Sequence, residues 1–296
     1  MSRDMEMHFS STAKELLEFK GEYINRCHYA PPTAKVLKPL VMEIAEVIFP
    51  GYLNTTAVHA EPSVHDIAMS LEKINIALVD QVERALRFCR DNNTIADTDS
   101  SRESLELKAR QIACDFIDSI PEIRRRLLTD VEAVLMADPA VTGIGEVVFC
   151  YPTIVALTHH RIAHMLHKLG VPLAPRMITE IAHSKTGIDI HPAAVIGDYF
   201  AIDHGTGVVI GETAIIGKHV VIYQGVTLGA KSFKQGEDGR LVNEPRHPII
   251  EDNVKIYSNA SILGRITIGH DSIIGGNTWI DQDVAPHSKI TQLKRS

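Results

Sequence analysis

The stretch AIDHGTGVVIGETAIIGKH, residues 201–219, keeps a six-residue beat and breaks it once. Ile196 and Ile202 stand six apart, as do Ile210 and Ile216, whereas Ile202 and Ile210 stand eight apart. An α-helix would scatter six-spaced residues around its surface, because six steps of about 100° do not return to one face. A flat strand does not run this long. The economical solution is a coil with three short faces and about 18 residues per turn, in which each sixth side chain points inward and stacks on its equivalents above and below. Such a coil has no room inside for extra residues, so the two between Ile202 and Ile210 must bulge outward, and Gly205 and Gly207 make the bulge feasible. Asp203 and His204 then ride on an outward ledge. An ordinary turn rich in Gly and Asp would produce the same local spacing.

The beat extends in both directions. Ile190, Ile196 and Ile202 precede the break; Ile210, Ile216, Ile222 and Leu228 follow it. After a long interruption come Ile250, Ile256, Ile262, Ile268, Ile274 and Ile280. The interruption, about residues 229–247, is polar and long for a connection in a compact domain, so it reads as an inserted loop. Upstream, from about Ser10 to Ala182, apolar residues recur at three and four, as in VMEIAEVIF, SLEKINIALVDQVERALRF and IRRRLLTDVEAVLM. EVVFCYPTIVALTHHRIAHMLHKLG continues as one helical stretch closing at Gly170, and a last short helix runs to the Lys185-Thr186-Gly187 turn. The expected organisation is a helical domain over residues 1–185 and a coil over residues 186–296, an α + β chain.

Thirty basic residues against 37 acidic ones give a net charge of −7, with no basic block to neutralise phosphates, so nucleic acid is not an expected partner. The first thirty residues lack the apolar core of a signal peptide and no stretch offers the roughly 18 apolar residues of a membrane span, so the expected location is cytoplasmic, away from any membrane. Cys27, Cys89, Cys114 and Cys150 form no C-x-x-C pair, and all precede the coil.

The ordered motifs DIHPAAVIG, DHGTG, VIGETA, VTLG and RHP resemble those of serine O-acetyltransferases, hexapeptide-repeat acyltransferases, closely over residues 138 to about 285. The resemblance implies an N-terminal α-helical domain followed by a left-handed parallel β-helix, with acetyl-CoA as co-substrate and L-serine as acceptor. It implies His204 as general base, with Asp189 of DIHP behind it. A serine hydroxyl is a poor nucleophile at neutral pH, and imidazole titrates in the range needed to take its proton. A carboxylate on the far ring nitrogen would hold the tautomer. For the amino acid, the resemblance supplies Asp138 and Asp203 at the ammonium, Arg246 and His247 at the carboxylate and Glu212 in a less defined role. Without it, Asp138 reads as a helix-end turn residue before Pro139, and Arg246 and His247 as a solvated loop end. Gly229, Ala230, Ser258 and Gly276 match positions along the coenzyme groove. There is no phosphate-binding loop motif. Lys231, inside the long insertion, carries no assigned role.

The family packs three coils around one axis with sites between chains, so a homotrimer or a dimer of trimers is expected. L-cysteine shares the ammonium and carboxylate of serine and is the expected feedback inhibitor. Because no cysteine lies in the coil, direct transfer is expected. The closing ITQLKRS offers no apolar anchor, so no stable complex with O-acetylserine sulfhydrylase is expected. No metal is expected, although two histidine sets invite one. His160, His164 and His167 share a helical face but lack the Glu of H-E-x-x-H. His191, His219, His270 and His287 would suit a carbonic anhydrase built on the same coil, a rival reading beside sugar or xenobiotic acetyltransferases and a non-catalytic scaffold.

Overall fold

The computed structural model describes residues 3–18, 29–53, 62–91, 101–236, 239 and 241–292. Cys27 and the closing Lys294, Arg295 and Ser296, on which the sulfhydrylase expectation rests, lie outside them. Among the described residues the chain forms α1 (Arg3–Glu18), α2 (Ala34–Ile48), α3 (Val64–Asp91), α4 (Arg102–Ala137), α5 (Ile144–Cys150), α6 (Pro152–Lys168) and α7 (Ala174–Thr186). Fourteen short strands follow: β1 (Asp189–Ile190), β2 (Val195–Ile196), β3 (Ala201–Asp203), β4 (Val209–Ile210), β5 (Ile215–Ile216), β6 (Val221–Tyr223) and β7 (Thr227–Gly229), then β8 (Ile249–Ile250), β9 (Lys255–Ile256), β10 (Ser261–Leu263), β11 (Thr267–Ile268), β12 (Ile273–Ile274), β13 (Trp279–Ile280) and β14 (Lys289–Ile290). None of the helices is long and apolar enough to cross a membrane.

The strands make three parallel sheets, the walls of one coil: β1-β4-β7-β10-β13 (sheet A), β2-β5-β8-β11 (sheet B) and β3-β6-β9-β12-β14 (sheet C). Register measures each turn. Val209 stands opposite Thr227, 18 positions on, whereas Asp189 stands opposite Val209, 20 positions on. The first turn therefore holds the two extra residues around Asp203 and His204. Thr227 stands opposite Ser261, 34 positions on, so 16 residues are inserted between β7 and β8. Every inward Ile or Leu of the six-residue series from Ile190 to Ile274 is buried to within 2% exposure, and Ile280, at the end of the stack, is partly buried.

The mostly apolar helical stretch that ends at Gly170 is made of two helices, α5 and α6. Pro152 has no N–H to donate and disfavours helical geometry at the residue before it, so Tyr151 leaves the helix at φ −81°, ψ 121°, and α6 starts at the proline. Gly187, in the left-handed conformation at φ 71°, caps α7 two residues before β1.

A buried ion pair clamps the helices to the coil at the corner between β2 and β3. Asp130 of α4, fully buried, receives Nε and Nη2 of Arg161 from α6 at 2.6 and 2.7 Å and the N–H of Phe200 at 3.2 Å. Arg161 Nη2 also donates to the Gly197 carbonyl at 2.9 Å, and Tyr199 N–H donates to Thr129 Oγ1 at 3.1 Å. The clamp ends directly before β3, so it sets the height of the strand that carries Asp203. The histidine face on α6 is spent on the same packing: His160 is fully buried and His164 Nδ1 donates to the Pro192 carbonyl at 2.8 Å, while His167 faces solvent.

Removing the charge of Asp130 while leaving Arg161 buried costs about 3–5 kcal/mol. Asp130→Asn is therefore expected to lower the urea midpoint sharply, and Asp130→Leu/Arg161→Met to lower it less, in equilibrium unfolding of the whole chain.

Candidate active site

Three of the residues expected at the site meet in one cleft of about 390 Å³. Asp138, Asp203 and His204 line it together with Cys150, Tyr151, Pro152, Ile202 and Thr206. Asp138 ends α4; one carboxylate oxygen accepts the Ala140 N–H at 2.8 Å and the other accepts the Tyr151 hydroxyl at 2.5 Å. Those two bonds, the tyrosine's first, hold the Asp138 carboxyl below its usual range, and the same contact pushes the Tyr151 phenol up to about 12. Asp138 thus stays an anion facing the cleft. Tyr151 did not emerge as functional from the sequence; the signal was Pro152, which throws Tyr151 out of the helix and toward the carboxylate.

His204 occupies the outward ledge as expected. Its φ is 58°, a left-handed region in which Asn, Asp and His are the enriched non-glycine residues, and its side chain is 74% exposed. Gly205, at φ 92°, lets the chain turn behind it, where an added Cβ would sit 2.5 Å from Ile188 Cδ1.

The expected Asp189 to His204 pair is not formed within the chain. Asp189 faces outward from β1 and accepts from Arg176 Nη1 of α7 at 3.2 Å. The carboxylate nearest the imidazole is Asp203, 3.9 Å from Nδ1, too long for a hydrogen bond.

Glu212, Arg246 and His247 assemble elsewhere, past the far end of β4. Arg246 Nη2 donates to Glu212 at 2.6 Å, and its Nη1 donates to Asn243 Oδ1 at 3.1 Å. Burial would raise the Glu212 carboxyl, but the Arg246 hydrogen bond and charge outweigh it and leave it lowered. His247 is buried, and burial first and the Arg246 charge second push its imidazole down to about 4. It is therefore neutral. The Thr213 N–H donates to His247 Nδ1 at 3.1 Å, and a nitrogen that accepts carries no proton, so the proton sits on Nε2. His247 is a fixed neutral donor rather than a cation. The ring lies against Gly211, where a Cβ would fall 2.0 Å from Cδ2.

The two groups flank the same strand. Gly207 precedes β4 and Gly211 follows it, four positions at about 3.3 Å each, so about 13 Å of sheet A separates the edges. The four residues expected along the coenzyme groove divide the same way. Ser258 and Gly276 stack on consecutive rungs below the His204 edge, with a Cβ on Gly276 reaching 3.0 Å from the Ser258 carbonyl. Gly229, the last residue of β7, and Ala230 lie at the other edge. Lys231 beside them pairs with Asp281 at 2.9 Å. Of the coil histidines, His219 stacks on Tyr199 and His191 Nδ1 accepts the Ala193 N–H, so the four do not converge.

The family model described as bacterial transferase hexapeptide (six repeats) matches residues 247–282. The chain is 44% identical over 267 residues to a plasmid-borne serine acetyltransferase of Synechococcus elongatus, covering 90% of this chain and 83% of that one. It is 45% identical to the serine acetyltransferase of Mycobacterium tuberculosis over 54% of this chain and 67% of the relative. The crystal structure of Entamoeba histolytica serine acetyltransferase 1 in complex with L-cysteine superposes with a TM-score of 0.72 and 34% identity, over 97% of this chain and 99% of that one. Soybean serine acetyltransferase complexed with serine superposes at 0.55 with 26% identity, over 88% and 96%. By identity sustained along nearly its whole length, this chain belongs to the serine acetyltransferase family.

Proposed function

We propose that this chain transfers the acetyl group of acetyl-CoA to the hydroxyl of L-serine, giving O-acetyl-L-serine and CoA. The observation that carries the reading is the cleft where Asp138 and Asp203, two carboxylates suited to an ammonium, meet the exposed imidazole of His204. His204 takes the hydroxyl proton as the serine oxygen attacks the thioester carbonyl, and returns it to the CoA sulfur as the carbon to sulfur bond breaks. Asp189 is the orienting carboxylate by motif and Asp203 by proximity. Cys150 lines the same cleft, so the lack of cysteine in the coil does not alone exclude a thiol relay. Transfer is direct on this reading, because His204 serves the hydroxyl without a second nucleophile.

The acetyl donor fits the small corner residues Ser258 and Gly276, which let a pantetheine arm approach the backbone. The substrate carboxylate fits Arg246 and the Nε2–H of His247. Since these lie across sheet A from His204, a complete site takes one edge from each of two neighbouring copies, as in a cyclic trimer or a pair of trimers. L-Cysteine, bound in the Entamoeba histolytica relative, presents the same ammonium and carboxylate and should compete with serine. The product points to cysteine synthesis as the consuming route and to a cytoplasmic site of action.

Asn tolerates the backbone of residue 204 better than Ala does, so His204→Asn tests the base with least strain. It should lower kcat by roughly 100-fold or more. Cys150→Ser should leave kcat near wild type, and trapping of an acetylated enzyme would refute direct transfer. Of Asp189→Asn and Asp203→Asn, the one that lowers kcat at unchanged KM identifies the orienting group.

Co-expressed His204→Asn and Arg246→Ala chains, each inactive alone, should recover about a quarter of wild-type CoA release if each site draws on two chains of a ring. No recovery in mixed oligomers would place the whole site in one chain.

Tyr151→Phe removes one of the two bonds to Asp138 and leaves the ring. KM for serine and the inhibition constant for cysteine should rise together several-fold with kcat nearly kept. A fall in thermal stability with both constants unchanged would make Tyr151 a packing residue only.

A further inference from the structure

His270, Asp271 and His287 meet on the corner between sheets B and C, on the opposite side of the coil from sheet A and its two edges. Asp271 Oδ2 stands 2.7 Å from His270 Nδ1 and 3.8 Å from His287 Nδ1. The two rings meet edge to face at 4.8 Å and 87°. One donor atom from each of the three residues lies within 4.8 Å of the other two.

The backbone fixes this convergence. Asp271 and His287 hold the same corner position on consecutive rungs, both left-handed at φ 57° and 59°, and the His287 N–H donates to the His270 carbonyl at 2.9 Å. Register between β12 and β14 locks the rungs together.

We propose that these three side chains bind one divalent transition ion of the zinc, nickel or copper type, stapling the last two rungs of the coil. Two imidazoles and one carboxylate suit such ions and disfavour magnesium and calcium, which take oxygen ligands. Tetrahedral donors at about 2.0–2.1 Å from a metal are about 3.4 Å apart, which lies between the two distances observed around Asp271. The other convergent trio among the described residues, Glu180, His183 and Asp189, already has a cation: Arg176 pairs with Glu180 at 2.5 Å and with Asp189 at 3.2 Å. Asp271 has only the two histidines as ion-pair partners among the described residues. The ion would play no part in acetyl transfer, because the corner lies away from both edges of sheet A.

The test is calorimetric titration of untagged, chelator-treated protein with Zn²⁺, Ni²⁺ and Mg²⁺. One equivalent of Zn²⁺ or Ni²⁺ per chain is expected, with no Mg²⁺ uptake. His287→Ala, and separately Asp271→Asn, which tolerates the same backbone, should weaken Zn²⁺ binding at least about tenfold. His219→Ala, on the same corner higher in the stack, should leave it unchanged, and CoA release should be equal with and without the ion. Absence of stoichiometric uptake by the wild-type protein, or wild-type affinity in both Asp271 and His287 variants, would overturn the proposal.

Discussion

Every part of this molecule answers to the stacking of one rung on the next. Parallel pairing holds successive turns in register, and a continuous column of isoleucine and leucine fills the interior, each of its twelve members from Ile190 to Ile274 buried. Such a column accepts no insertion. A residue added to one rung would shift the inward set of that rung against its neighbours, a loss of several buried aliphatic contacts at about 1.5–3 kcal/mol for each fully buried side chain. Additions are therefore confined to corners and must leave outward. The chain makes two, and each leads to residues proposed for chemistry: two residues put His204 on its ledge, and sixteen end at Arg246 and His247.

The corners differ from the walls in what they ask of a residue. Many turns between sheets use a left-handed residue, and the coil places Tyr199, His204, His219, Asn253, Asn259, Asp271, Asn277 and His287 there beside Gly205, Gly207, Gly225 and Gly264. Asn and Asp tolerate the conformation, and histidine is enriched in it as well. A corner ladder of this kind displays polar side chains at fixed height on a rigid scaffold, the arrangement that small-molecule chemistry needs. The helical domain adds what the coil alone lacks. Through Asp130 and Arg161 it fixes the corner before β3, and through Asp138 and Tyr151 it lines the cleft beside His204.

What could be read from the sequence was what repeats. The six-residue series predicted the coil, its two interruptions and the ledge, because the inward position tolerates only large aliphatics and so leaves a uniform trace. A second inward series, two residues earlier, escaped notice. Ile188, Ala194, Phe200, Val208, Ala214, Val220, Val226, Val254, Ala260, Ser272 and Thr278 are all buried, yet the corner admits apolar and small polar residues alike. Tyr151 was hidden because a helical period conceals a break unless the proline is given its full weight. The absence of an Asp189 to His204 contact within the chain has a different origin. Sequence spacing fixes the rung on which a residue lies, while Arg176, thirteen residues earlier in another element, decides where the Asp189 carboxylate turns.

The division of the proposed site across sheet A follows from the same geometry. A wall of the coil is only a few residues wide, so one chain can place groups on its two edges but cannot fold one edge over the other; the stacked rungs are too stiff to bend. A substrate that must be held at both ends, by its ammonium and by its carboxylate, therefore cannot be enclosed by a single wall about 13 Å across with donors at its margins. Two walls facing one another would do so, and the rigidity that prevents one chain from closing on its substrate would then hold the facing edges at a constant distance. On the proposed reading, self-association would belong to catalysis itself: the stiffness that makes the coil a precise support would also make it depend on a neighbour.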